Sequence, residues 1–76
     1  MKTVITTILV KILFVDLQTN ETLPGVKVQT EKHIYYSDLN GNLLIPKNEK
    51  IVDISSISYQ NLKNLTLKND TIIKLN

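Results

Sequence analysis

The sequence has no cysteine, no tryptophan and no arginine, and only one phenylalanine, one histidine, two glycines and two prolines. Without cysteine there is no disulfide framework, and the redox compartment leaves no mark on the chain. Without arginine the forked donor suited to guanine edges and phosphates is missing, so all nine cations are lysines. A single histidine, His33, rules out a two-histidine metal site and a histidine acid–base pair. The net charge of +2 is spread along the chain, a solubility charge and not a nucleic-acid footprint. No apolar run approaches the ~20 residues that span a bilayer, which argues against membrane insertion.

What is present is aliphatic. Hydrophobic residues make up 42% of 76, mostly Val, Ile and Leu, enough for one thin core in one small domain. The chain is organised around Leu23-Pro24-Gly25-Val26-Lys27-Val28 and Ser37-Asp38-Leu39-Asn40-Gly41-Asn42-Leu43-Leu44-Ile45. Pro24 pre-sets φ and Gly25 supplies positive φ, a type II turn signal; Asn40-Gly41 marks a second reversal. Val26, Val28 and Thr30 form an inward face, Glu31-Lys32 a turn, and Pro46 stops the strand from Asn42. In Ile51 to Tyr59 the apolar parity runs 52, 54, then 57, 59, which predicts a bulge or break near Ser55-Ser56. Leu62, Leu65 and Leu67 carry a further strand, and Thr71 to Leu75 closes the fold. No stretch has helical spacing. About seven strands at intervals of 8–12 residues predict an all-β antiparallel sandwich.

Residues 3–15 alternate with both parities apolar or Thr, a strand with two faces to bury. Thirteen extended residues span roughly 43 Å, too long for a compact chain of this size. Residues 1–8 are therefore expected to be an N-terminal arm and 9–76 the folded domain. Met1-Lys2 and the run to Val10 faintly resemble a secretory leader. Lys11 interrupts that run and no small-residue cleavage site follows, so a virion or cytoplasmic setting is expected ahead of a periplasmic one.

The two turns, with Ser55-Ser56-Ile57-Ser58-Tyr59, resemble the carboxypeptidase-regulatory-like domain, a transthyretin-like β-sandwich common in Bacteroidota proteins. The likeness covers about residues 9–76 and includes Asp16, Thr19 and Glu21 ahead of Leu23-Pro24-Gly25-Val26. Leu43, Ser58 and Ile12 depart from the family's aromatic and its two glycines. The resemblance implies a seven-stranded immunoglobulin/transthyretin-like fold without catalytic residues. It also implies a docking or interaction role, as beside carboxypeptidase catalytic domains, at the N-termini of outer-membrane transporters, and in surface or virion proteins.

Individual residues offer little chemistry. A Ser-His-Asp arrangement of His33 with Asp38 lacks a marked nucleophile and oxyanion hole. Asp38-x-Asn40-x-Asn42 echoes a calcium loop, with Glu49 at the twelfth position, but the residues between read as strand, and an Asx turn is expected. Tyr35 and Tyr36 point to opposite sides of a strand, so only one can join Tyr59 in the core and the other can anchor a partner. The expectation is a non-enzymatic structural accessory subunit, without cofactor or metal, that docks on a larger assembly such as a phage capsid. Val4, Ile5, Ile8, Tyr35 and Tyr36 are the candidate partner-binding residues, with the arm docking by strand addition. The alternative is a periplasmic or cell-surface binding module.

Overall fold

The computed structural model describes residues 8–76. These form seven strands and no helix: β1 (Leu9–Asp16), β2 (Lys27–Thr30), β3 (Ile34–Tyr36), β4 (Asn42–Pro46), β5 (Lys50–Ser55), β6 (Leu62–Thr66) and β7 (Thr71–Leu75). They make a three-stranded sheet, β4-β1-β7, and a four-stranded sheet, β3-β2-β5-β6. Val10, Ile12, Phe14, Ile45, Ile73 and Leu75 of the first meet Val26, Val28, Ile51 and Ile54 of the second in one buried cluster, a sandwich-like arrangement. In β1 the even positions 10, 12 and 14 point inward, while Leu9 and Lys11 are exposed. Val15, of the other parity, is also buried and bridges Thr22 in the following loop.

The four-stranded sheet is antiparallel throughout, as expected, but the three-stranded one is mixed. β1 pairs antiparallel with β4 and parallel with β7, from Ile12 opposite Thr71 to Asp16 opposite Leu75. This corrects the all-antiparallel expectation. Side-chain alternation reports which face a strand buries, not the direction of its neighbour. The first and last strands are joined by the whole intervening chain, so no short hairpin forces them antiparallel.

The strand break expected near Ser55-Ser56 is present, and a bulge lies earlier in the same strand. β5 does end at Ser55, but the extra residue is Val52: Gln29 pairs with Asp53 and Thr30 with Ile51. Opposite Val52, Asn64 of β6 sits at φ 59°. Register is kept on both sides, with Asp53 opposite Lys63 and Ile51 opposite Leu65. Ile54 and Ile51 therefore both face the core, as do Leu62 and Leu65 across from them. Val52 and Ile54 share parity and are both apolar, so the alternation looks unbroken in the sequence.

The two turns are built against one another. Gly25 has φ 68° and its N–H donates to the Ser37 carbonyl. The buried Ser37 hydroxyl accepts from the Val26 N–H at 2.8 Å and donates to the Leu23 carbonyl at 2.8 Å, tying the Pro24-Gly25 turn to the end of β3. Asp38 Oδ1 accepts the N–H groups of Asn40 and Asn42, both at 2.9 Å, which makes the Asx turn. Gly41, at φ 80°, is wedged so tightly that a Cβ there would lie 2.9 Å from the Phe14 carbonyl oxygen and 3.0 Å from the Leu23 nitrogen. Gly25 has nothing within 4 Å of such a Cβ.

The two glycines separate strain from space. Gly25→Ala should cost about 1 kcal/mol, the left-handed backbone penalty alone. Gly41→Ala adds contact with two backbone atoms and should cost about 3 kcal/mol. Urea unfolding of both variants checks this; equal losses would mean that the wedge between Phe14 and Leu23 is absent.

Candidate functional site

Polar side chains gather in two places, and both are turned inward. At one end of the sheets, Asp16 Oδ1 accepts the N–H groups of Gln18 and Thr19 at 2.7 and 3.0 Å, shaping the loop after β1. Its Oδ2 accepts the Tyr59 hydroxyl at 2.6 Å, fastening the β5–β6 loop to the end of β1. The Tyr59 hydrogen bond, helped by the Thr19 and Gln18 N–H groups, holds the Asp16 carboxyl below the ordinary aspartate value. The same hydrogen bond, with burial and the charge of Asp16 behind it, raises the Tyr59 phenol.

At the other end, the Glu49 side chain is only 8% exposed. It accepts from the Thr30 hydroxyl and, at 3.3 and 3.4 Å, from the Tyr35 hydroxyl; His33 Nδ1 lies 3.7 Å away. Thr30 Oγ1 in turn accepts the Lys32 and His33 N–H groups, closing the turn between β2 and β3. Burial, then the neighbouring Glu49 charge, raises the Tyr35 phenol. Among the described residues no buried side-chain nitrogen or oxygen lacks a hydrogen bond. Nor do three or more His, Cys, Asp or Glu side chains converge among them.

The feature left over is apolar. On the outer face of the three-stranded sheet, register places Leu9 opposite Pro46, Lys11 opposite Leu44, and Leu13 between Asn42 and Ile72. Leu9, Leu44 and Ile72 are 49%, 56% and 61% exposed. The charged side chains at this face are Lys11 and Lys74, with Asp70 and Asp38 lining the depressions beside Lys11. A shallow depression of about 460 Å³ lies between Lys11, Tyr36, Asp38, Asn42, Leu43 and Leu44. A second, of about 290 Å³, lies over Leu13 and Ile72. Full burial of a Leu or Ile is worth about 1.5–3 kcal/mol, so covering three that are half exposed would return about 2–4 kcal/mol. The apolar side chains on this face stand around Lys11, which lies between Leu9 and Leu13 and opposite Leu44.

Of the residues singled out from the sequence, Val4 and Ile5 lie outside the described residues. Ile8 is exposed, and its carbonyl accepts the Lys47 N–H at 2.8 Å. Tyr36 is 60% exposed and borders the larger depression. Tyr35 packs against the core with its hydroxyl on Glu49, so it does not belong to this surface. Leu9, Leu13, Leu44 and Ile72 were not singled out. The signal for the first two was the second apolar parity of residues 3–15. Leu44 and Ile72 each stand inside a run of apolar residues where nothing distinguishes outward from inward.

No protein-family model matches this sequence, and neither the curated proteins nor the solved structures contain a match.

The Asp16–Tyr59 bond gives a pH test. A depressed folded-state pKa contributes stability that is fully present above the unfolded aspartate value and is lost as pH falls through the folded one. Unfolding measured from pH 6 to pH 2 should show the wild type losing stability more steeply than Tyr59→Phe, and the Asp16 carboxyl should titrate higher in the variant. Identical profiles would show that the phenol does not hold the carboxylate.

Proposed function

We propose that this chain is a non-enzymatic accessory subunit. In this reading it is an immunoglobulin/transthyretin-like domain of carboxypeptidase-regulatory-like type that docks on a larger protein assembly, such as a phage capsid. The observation that carries the reading is the outer face of the three-stranded sheet. It has Leu9, Leu13, Leu44 and Ile72 in neighbouring register positions, with Leu9, Leu44 and Ile72 exposed. A domain this small has little apolar area to spare, and exposing three aliphatic side chains on one sheet face costs solubility unless a partner covers them. A virion or cytoplasmic setting goes with this reading.

Leu9→Lys combined with Leu44→Lys tests it. Both side chains are exposed, so the melting midpoint should stay within the range of ordinary surface substitutions, about 0.5 kcal/mol. Fractionated from its native source by sedimentation, the wild type should travel with particles much larger than itself. The double variant should lose at least about ten-fold of that association, which about 1.4 kcal/mol of lost contact energy suffices to produce. A wild type that sediments alone, or a variant that travels as the wild type does, contradicts the docking role.

A further inference from the structure

Asn40-Gly41 carries a reactivity of its own. No other asparagine in the sequence precedes a glycine. With no Cβ on the residue that follows, the Gly41 nitrogen meets no side chain on its way to the Asn40 side-chain carbonyl. Once it has lost its proton to hydroxide, that nitrogen can attack Cγ of Asn40. The new N–C bond forms as the Cγ–Nδ2 bond breaks, and ammonia leaves. Water then opens the five-membered imide at one of its two carbonyls. Opening at Cγ leaves an aspartate. Opening at the backbone carbonyl leaves an isoaspartate, whose main chain runs through Cβ and Cγ. Water is the only co-reactant.

Asn40 is exposed, so solvent reaches it, and what stands in the way is geometry. The Gly41 N–H donates to the Asp38 carbonyl at 3.0 Å, which closes a four-residue turn and holds the proton that must leave. Neither Leu39 nor Asn40 has a positive φ and no peptide bond is cis, so the turn is of type I. The third residue of such a turn has ψ of about 0°, whereas ring closure needs the Gly41 nitrogen turned by roughly 120°, beside Cβ. Three sets of contacts resist that rotation. Asp38 Oδ1 holds the Asn40 and Asn42 N–H groups, both at 2.9 Å. The Gly41 carbonyl accepts the Phe14 N–H at 2.8 Å. Gly41 itself lies so close to the Phe14 carbonyl oxygen and the Leu23 nitrogen that a Cβ would meet them at 2.9 and 3.0 Å.

We infer that Asn40 is a site of spontaneous deamidation gated by this corner, shut in the folded chain and open whenever the β3–β4 turn comes away from Phe14. The product then prevents reclosure. Isoaspartate lengthens the main chain by one carbon immediately before Gly41, in a wedge without room for a methyl group. The Phe14–Gly41 hydrogen bond is lost from its register, and a transient opening becomes permanent. A chain that opens often is therefore retired by its own chemistry, and one that stays closed persists. This goes beyond docking and does not rest on it, since it concerns one turn and water.

The test is peptide mapping by mass spectrometry of the full chain aged in mildly alkaline buffer, with fragmentation to separate Asn40 from Asn42. Asn40 of the folded wild type should deamidate at least about ten-fold more slowly than in guanidinium chloride, because only the open fraction reacts. Asp38→Ala removes the side-chain acceptor of both N–H groups and should speed the reaction in native buffer at least about ten-fold, while Asp38→Asn keeps an oxygen there and should stay near the wild-type rate. Circular dichroism reports whether Asp38→Ala is folded; if it is not, the wild-type comparison and Asp38→Asn carry the test. Chains aged in denaturant and diluted back should divide, the unmodified ones refolding and the isoaspartyl ones staying sensitive to protease. Equal rates in folded and denatured wild type, a folded Asp38→Ala that reacts as slowly as the wild type, or isoaspartyl chains that refold as unmodified ones do overturns the inference. Leu9 and Leu44 are intact throughout, so that failure leaves the docking role standing, and a failed sedimentation test leaves this one untouched.

Discussion

Phe14 is where the fold is tied together. Its ring is fully buried, its N–H donates to the Gly41 carbonyl, and its carbonyl accepts the Leu23 N–H. One residue of the central strand therefore holds the core, the Asx turn that starts β4, and the loop that leads to β2. Gly41 must be glycine for the turn to lie flat against that carbonyl, and Ser37 then fastens the Pro24-Gly25 turn to the same corner. Losing an aromatic at such a position costs about 3–5 kcal/mol. A domain of this length has roughly 4–11 kcal/mol in total. A large part of that total therefore meets at one corner of the core.

That concentration explains where the polar residues went. A chain with little core uses its carboxylates and hydroxyls to pin loops: Asp16 with Tyr59 at one end, Glu49 with Thr30 and Tyr35 at the other. On the outer face of the three-stranded sheet Leu9, Leu44 and Ile72 stay exposed.

Much of this architecture was legible in the sequence. Turn chemistry at Pro24-Gly25 and Asp38 to Gly41, together with short aliphatic runs, indicates seven strands and no helix, because those signals are local. Strand direction is not local. Nothing in Thr71 to Leu75 says that it lies parallel to β1, since the partner is 59 residues away, from Ile12 to Thr71. The bulge at Val52 was hidden for a related reason: it shows only in the pairing with β2, where Gln29 meets Asp53 and Thr30 meets Ile51. Of the surface, Tyr36 was visible as one of two adjacent tyrosines of which one must be exposed. Leu44 and Ile72 were not visible, because an outward leucine or isoleucine in a short strand looks the same as an inward one until the register is known.

The central claim is that the outer face of the three-stranded sheet is covered when the protein is at work. Hydroxyl-radical footprinting, comparing the purified monomer with the particle-associated protein from its native source, addresses it directly. Leu9, Leu13, Leu44 and Ile72 should be oxidised in the monomer and shielded in the particle, while Leu39, 89% exposed at the tip of the β3–β4 turn, serves as the reference. Equal oxidation of the four residues in both states would contradict the account.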